Sequence, residues 1–200
     1  MANKQTAGFG LNPSGVMGST PATSGQGKYW IDAADATAIY NGELVRITAG
    51  YVVTAQAAIT NPTQGMFNGC FYNDATTLKP TWVNYYPGGI TPANSEDIKA
   101  YVMDNPFQIY NVVTDAQIAA NVPASHAKIM ETYGMNVSAT SGTASGGRSS
   151  STLKVSAGSA ATANQFRYLG DAEDPSNNDV TAAYATVRVV QSLNDLVMGT

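Results

Sequence analysis

Apolar residues in this chain recur mostly at alternate positions, in bursts of five to eight residues divided by turn-forming residues. That spacing predicts β-strands, because successive side chains of a strand point to opposite faces. "ELVRIT" and "YVVTA" are parted by Ala49-Gly50, which predicts a tight hairpin. "GMFNGCFY" sets Met66, Asn68, Cys70 and Tyr72 against Phe67, Gly69 and Phe71. Its predicted partner is "TWVNYY", reached through the polar "NDATTLKP". Pro80 and Pro87 bracket that second strand, since proline is tolerated at strand ends and not within a central ladder. "DIKAYVMD" and "FQIYNVVT" flank Asn105-Pro106. The first places Ile98, Ala100 and Val102 on one face, and the second Phe107, Ile109, Asn111 and Val113.

Beyond Asp115 the alternation loosens, and "DAQIAAN" is read as a turn or two of helix stopped by Pro123. Residues 138–163 are rich in Ser, Gly, Ala and Thr and are read as a long low-complexity loop region, with "STLKVS" as a strand inside it. "FRYLG" and "AYATVRVVQS" are the strands that close the sheet. No segment holds a helical apolar period over three turns, and no exact repeat occurs. The expected fold is mainly β, a single barrel or sandwich over residues 29–200. Residues 1–28 form an extended N-terminal arm whose composition buries too little to order itself alone. Two readings of the arm compete: a disordered tail, or a segment that lays Phe9, Leu11, Val16 and Met17 into pockets of a partner.

Composition sharpens this picture. Charged residues are 12% of the chain, well below the roughly 25% of ordinary soluble domains, so its polarity rests on small neutral groups. Such a surface favours neutral contact with protein. A net charge of −4 and ten basic residues scattered singly argue against nucleic acid as a partner. The lone cysteine excludes an internal disulfide and a zinc framework. No apolar run reaches signal-peptide or membrane-span length, so the expectation is synthesis in the host cytoplasm with no membrane association.

The residues that could carry chemistry do not assemble into a recognisable site. His126 is the single histidine, set among small and apolar neighbours, and reads as structural or surface. Cys70 lies mid-strand with no nearby basic residue to activate it, so an inert buried thiol is expected. Asp171, Glu173 and Asp174 lack the spacing of a calcium loop and read as a solvated turn. "SGGRSS", around Arg148, reads as a flexible loop tip, and no phosphate-binding loop is present. No catalytic residue, metal or cofactor is assigned, and the chain is read as non-enzymatic. The remaining signal is aromatic. Trp30, Trp82, Tyr85 and Tyr86 suggest a flat stacking face, with Trp82, Asn84 and Tyr86 on one side of their strand. The competing reading is that these aromatics simply pair across a sheet.

The succession "YNGELVRITAGYVVTA", "GMFNGCFYNDATTLKPTWVNYYPGG", "AYVMDNPFQIYNVV" and "NQFRYLG" resembles the capsid decoration, or cement, proteins of tailed bacteriophages. The resemblance runs from about Tyr40 to Gly170 and is most specific over "NGCFYNDATTLKPTWVNYYP". It implies a non-enzymatic virion protein on the capsid exterior that binds the major capsid protein and ties its subunits together. It also implies self-association, with a trimer favoured. No functional residues transfer, because the family has no catalytic motif. The alternatives are a carbohydrate- or host-surface-binding module displayed on the virion through Trp82 and Tyr86, or another minor head or tail structural protein.

Overall fold

The computed structural model describes residues 3–18, 25–55, 61–137, 146–155 and 164–197. Their strands, in chain order, are β1 (Asn12–Val16), β2 (Gly27–Ile31), β3 (Leu44–Thr48), β4 (Tyr51–Thr54), β5 (Gly65–Asn73) and β6 (Pro80–Val83). There follow β7 (Ile98–Met103), β8 (Gln108–Val113), β9 (Thr132–Asn136), β10 (Thr152–Lys154), β11 (Phe166–Asp171) and β12 (Thr186–Gln191). A short helix, α1 (Val122–His126), precedes β9.

The strands form two antiparallel sheets rather than one closed barrel. The first sheet has the order β1-β8-β12-β11-β9-β10; the second has β2-β7-β5-β3-β4, with β6 also pairing β5. The second sheet is thus built from one continuous stretch of chain, while the first joins β1 to strands that follow Asn105-Pro106. The second sheet curls until its edge strands β2 and β4 lie alongside each other, yet no ladder joins them among the described residues.

Two apolar cores follow from this layout. One fills the curl of the second sheet with Ile31, Val45, Val52, Phe67, Ile98, Ala100 and Val102, capped by Ile39 and Tyr86. Ile98, Ala100 and Val102, expected on one face of β7, do share a face, and it is the inward one. The other core lies under the first sheet, around Tyr110, Val112, Tyr133, Phe166, Tyr168, Val187 and Val189. Leu44, Met66 and Met103 reach into it from the second sheet and bind the two halves together. The Tyr110 hydroxyl adds a 3.0 Å hydrogen bond to the Met103 carbonyl across that junction.

The hairpin at Ala49-Gly50 is present, with both residues at positive φ as a two-residue turn of this hand requires. Other expectations are corrected. On β8 Gln108, Tyr110, Val112 and Val113 are buried, whereas Phe107 is exposed and Ile109 and Asn111 are partly exposed, so the face expected to carry Phe107, Ile109, Asn111 and Val113 is turned away from the core except at Val113. Pro123 opens α1 rather than ending a helix: Asn121 caps the helix by accepting from the Ala124 amide, and proline is tolerated where no amide donor is needed.

The N-terminal segment is not a free arm. Asn3 donates to the Asp179 and Ala183 carbonyls, Leu11 is buried in the first core, and β1 pairs with β8 as an edge strand. Pro13 is accommodated there beside a register shift, as edge position allows. The expected boundary near residue 28 falls inside β2. Within the low-complexity stretch, the strand expected in "STLKVS" is present as β10, and residues 146–151, expected as a flexible loop tip around Arg148, are built in. Ser149, Ser151 and Leu153 are buried, and the backbone at Arg148 bridges to Asn41. Residues 138–145 and 156–163 lie outside the described residues.

Candidate functional site

The aromatic block at residues 65–89 is divided between the core and the surface by one bulge. The register of β5 against β7 shifts between Phe67 and Gly69, so Phe67 and Cys70 both point inward although they are three residues apart. Past the bulge, Phe71 points outward. Opposite it on β6 stands Trp82, and on β7 Lys99, which is in turn opposite Trp30 on β2. Directly opposed residues share a face. Trp30, Lys99, Phe71 and Trp82 therefore form one row across four strands on the outer face of the second sheet. At a strand spacing of about 4.8 Å the row is roughly 14 Å long.

Lysines flank its aromatics. The Lys99 ammonium lies 5.4 Å from the Phe71 ring centroid and that of Lys28 lies 5.7 Å from the Trp30 ring. Trp82 packs against Tyr101 with centroids 5.2 Å apart. Trp30 and Trp82 are 39% and 49% exposed.

At the Trp30 end the row runs into a groove of about 550 Å³, lined by Trp30, Ala49, Gly50, Tyr51, Glu96, Asp97 and Lys99. The groove sits at the open seam between β2 and β4. Asn94 and Ser95 both adopt left-handed backbone conformations, reversing the chain just before Glu96 and Asp97. The Tyr51 hydroxyl donates to Asp97 Oδ2 at 3.1 Å, which raises the Tyr51 pKa and holds the carboxylate in place.

Tyr86 does not share Trp82's face. β6 ends at Val83; the chain then bends, and Tyr86 is buried in the core of the second sheet, bridging to Ile39. Its hydroxyl donates to the Asp35 carbonyl and accepts from the Gly89 amide. Tyr85 stacks on Tyr40, with ring planes 7° apart. Of the pair expected to form a ligand face, only Trp82 is on the surface.

A second exposed surface lies on the first sheet. Met17, Pro106, Phe107, Met130, Val190 and Val197 line a largely apolar groove of about 220 Å³ together with Arg167, Gln191, Ser192 and Asn194. Phe107 is 58% exposed and Met17 40%. Among the four apolar residues expected to meet a partner, Met17 is thus presented to solvent, Phe9 and Val16 are half-buried, and Leu11 is enclosed.

The remaining candidates behave as isolated groups. Burial pushes the Cys70 thiol up to about 12, and it faces the Tyr85 carbonyl. His126 is exposed at the end of α1. Asp174 closes a turn by accepting from the Asn177 side chain and the Ser176 amide, bonds that hold its carboxyl below the usual range. Among the described residues no three His, Cys, Asp or Glu side chains gather as a metal site, and no helix is long and apolar enough to cross a membrane.

Sequence reasoning missed Tyr51, Glu96, Asp97 and Lys99, which come from separate segments and meet only through the curl of the sheet. The outward positions of Lys99 and Tyr101 were legible as the complement of Ile98, Ala100 and Val102. Comparison with protein-family models, with characterised proteins and with solved structures finds no match to this chain.

Proposed function

We propose that this chain is a structural protein of a phage virion. In this reading it binds the outer surface of the capsid and stabilises contacts between major capsid protein subunits, the role implied by the resemblance to decoration proteins. The observation that carries the proposal is the apolar groove on the first sheet. Contiguous exposed apolar side chains such as Met17, Phe107, Met130 and Val197 mark a protein-contact surface. Apart from Arg167 its lining is neutral, so docking there desolvates little charge. A contact this small gains strength through repetition, since symmetric copies on a shell, or within a homotrimer, engage together. The sandwich-like pair of sheets, locked by a shared core, supplies a stiff unit suited to bracing neighbouring subunits. The reading requires no catalysis, cofactor or nucleic acid, and places the protein on the capsid exterior.

The test is to add purified protein to undecorated heads and measure occupancy. Phe107→Asp and Met17→Asp, which place charge in the groove, are expected to lower occupancy at least tenfold while the isolated protein keeps its melting temperature. Full occupancy by both variants would remove the groove as the capsid contact. Failure of the unaltered protein to bind heads would remove the decoration reading itself.

A further inference from the structure

The groove at the seam of the second sheet has the chemistry of a small-molecule site, and nothing in the capsid reading employs it. Its volume of about 550 Å³ falls within the roughly 300–1,000 Å³ of ligand pockets. One wall is the indole of Trp30, a flat apolar surface. The other groups are polar: the carboxylates of Glu96 and Asp97, the ammonium of Lys99 and the hydroxyl of Tyr51.

We propose that this groove binds a neutral oligosaccharide, with a pyranose ring stacked on Trp30 and its hydroxyls bonded to Asp97, Glu96 and Lys99. The aromatic wall matches the apolar C–H face of a pyranose, and the polar wall matches its rim of hydroxyls, each of which both donates and accepts. Asp97 is preorganised for that role. The Tyr51 hydroxyl already occupies Oδ2 and fixes the carboxylate, leaving the other oxygen to accept from a sugar.

Charge balance selects a neutral ligand. The lining sets the carboxylates of Glu96 and Asp97 beside the ammonium of Lys99, and Lys28 lies outside the lining over the Trp30 ring, so a cation meets ammonium groups and an anion meets carboxylates. The low rim at Ala49-Gly50 leaves room for a chain to leave the groove; a Cβ placed on Gly50 would meet nothing. In the other direction, Phe71 and Trp82 continue the exposed row, offering stacking positions for further sugar units. An extended glycan fits this layout better than a single sugar.

The experiment uses the full chain on a printed array of neutral oligosaccharides of glucose, galactose, mannose and N-acetylhexosamine, beside uronate-bearing and sulfated ones. The best neutral hit is then titrated by calorimetry. Retention of at least one neutral series is expected, weakened tenfold or more by Trp30→Ala and by Asp97→Asn, and largely kept by Trp30→Phe, which preserves an aromatic wall. Melting curves of the three variants establish that they are folded. The proposal is overturned if no neutral oligosaccharide is retained, if only the anionic ones are, or if Trp30→Ala and Asp97→Asn both bind like the unaltered chain. None of these outcomes depends on binding to heads.

Discussion

Trp82 lies across the bare backbone of Gly69: a Cβ built on that glycine would stand 2.7 Å from the indole and 2.7 Å from the Val83 carbonyl. Gly69 also borders the bulge, whose extra residue is Asn68, and stands at φ 156°. The extra residue turns Cys70 inward, and the missing side chain of Gly69 seats Trp82 on the outer face. Gly69→Ala is expected to cost about 1–3 kcal/mol through overpacking and backbone strain, read from urea denaturation. Adding Trp82→Ala should recover only part of that loss, because the Val83 carbonyl still obstructs the methyl group.

Tyr86 is a structural residue, and its hydroxyl is the polar point of an apolar core. Tyr86→Phe leaves the Asp35 carbonyl and the Gly89 amide without that partner. Those two groups keep a 2.9 Å hydrogen bond to each other, so a loss of about 0.5–1.5 kcal/mol is expected in chemical denaturation.

Leu11 and Met17 lie six residues apart on one segment and should respond differently. Leu11 is enclosed by the first core, and Leu11→Ala is expected to cost about 2–5 kcal/mol. Met17 faces solvent, and Met17→Ala should stay within about 0.5 kcal/mol of the unaltered chain. Paired denaturation curves decide this; equal effects would show that the segment does not dock as described.

Glu43 gives the fold a pH dependence. Its side chain is buried, Oε2 accepts from the Tyr40 amide, and Oε1 has no hydrogen-bond partner among the described residues. Burial pushes the carboxyl up to about 7 from an ordinary value of 4.5. Below the lower value it is neutral in both states and its contribution is fully present. As pH rises the unfolded chain ionises first, so stability falls and the contribution is gone above about 7. The size is on the order of 3 kcal/mol. Glu43→Gln should flatten the melting temperature between those pH values and raise it at pH 8.

The strands and their broad class were legible in the sequence because alternation and turn chemistry act over a few residues. Ala49-Gly50 fixes its hairpin locally, and Ile98, Ala100 and Val102 declare an inward face within one strand. Cys70 read as inert for a similarly local reason, the lack of basic neighbours. Where a long-range contact reversed a local preference, the reading failed. The segment around Leu11 looks too polar to order itself, and it is ordered by β8 and by carbonyls near residue 180.

By itself, then, the sequence determined a mainly β chain, the positions of its turns and most of its strands, and an unactivated cysteine. Only the tertiary structure decided that β7 and β8 part into different sheets, so that Phe107 faces out. It also decided that Tyr86 is buried while Trp82 is not, and that Trp30, Tyr51, Asp97 and Lys99 share one groove. The physical reason is that alternation states which residues of a strand lie together, whereas which side becomes interior depends on what packs against it. That is set by pairing between segments tens of residues apart, and here by one bulge between Phe67 and Gly69 and one open seam between β2 and β4.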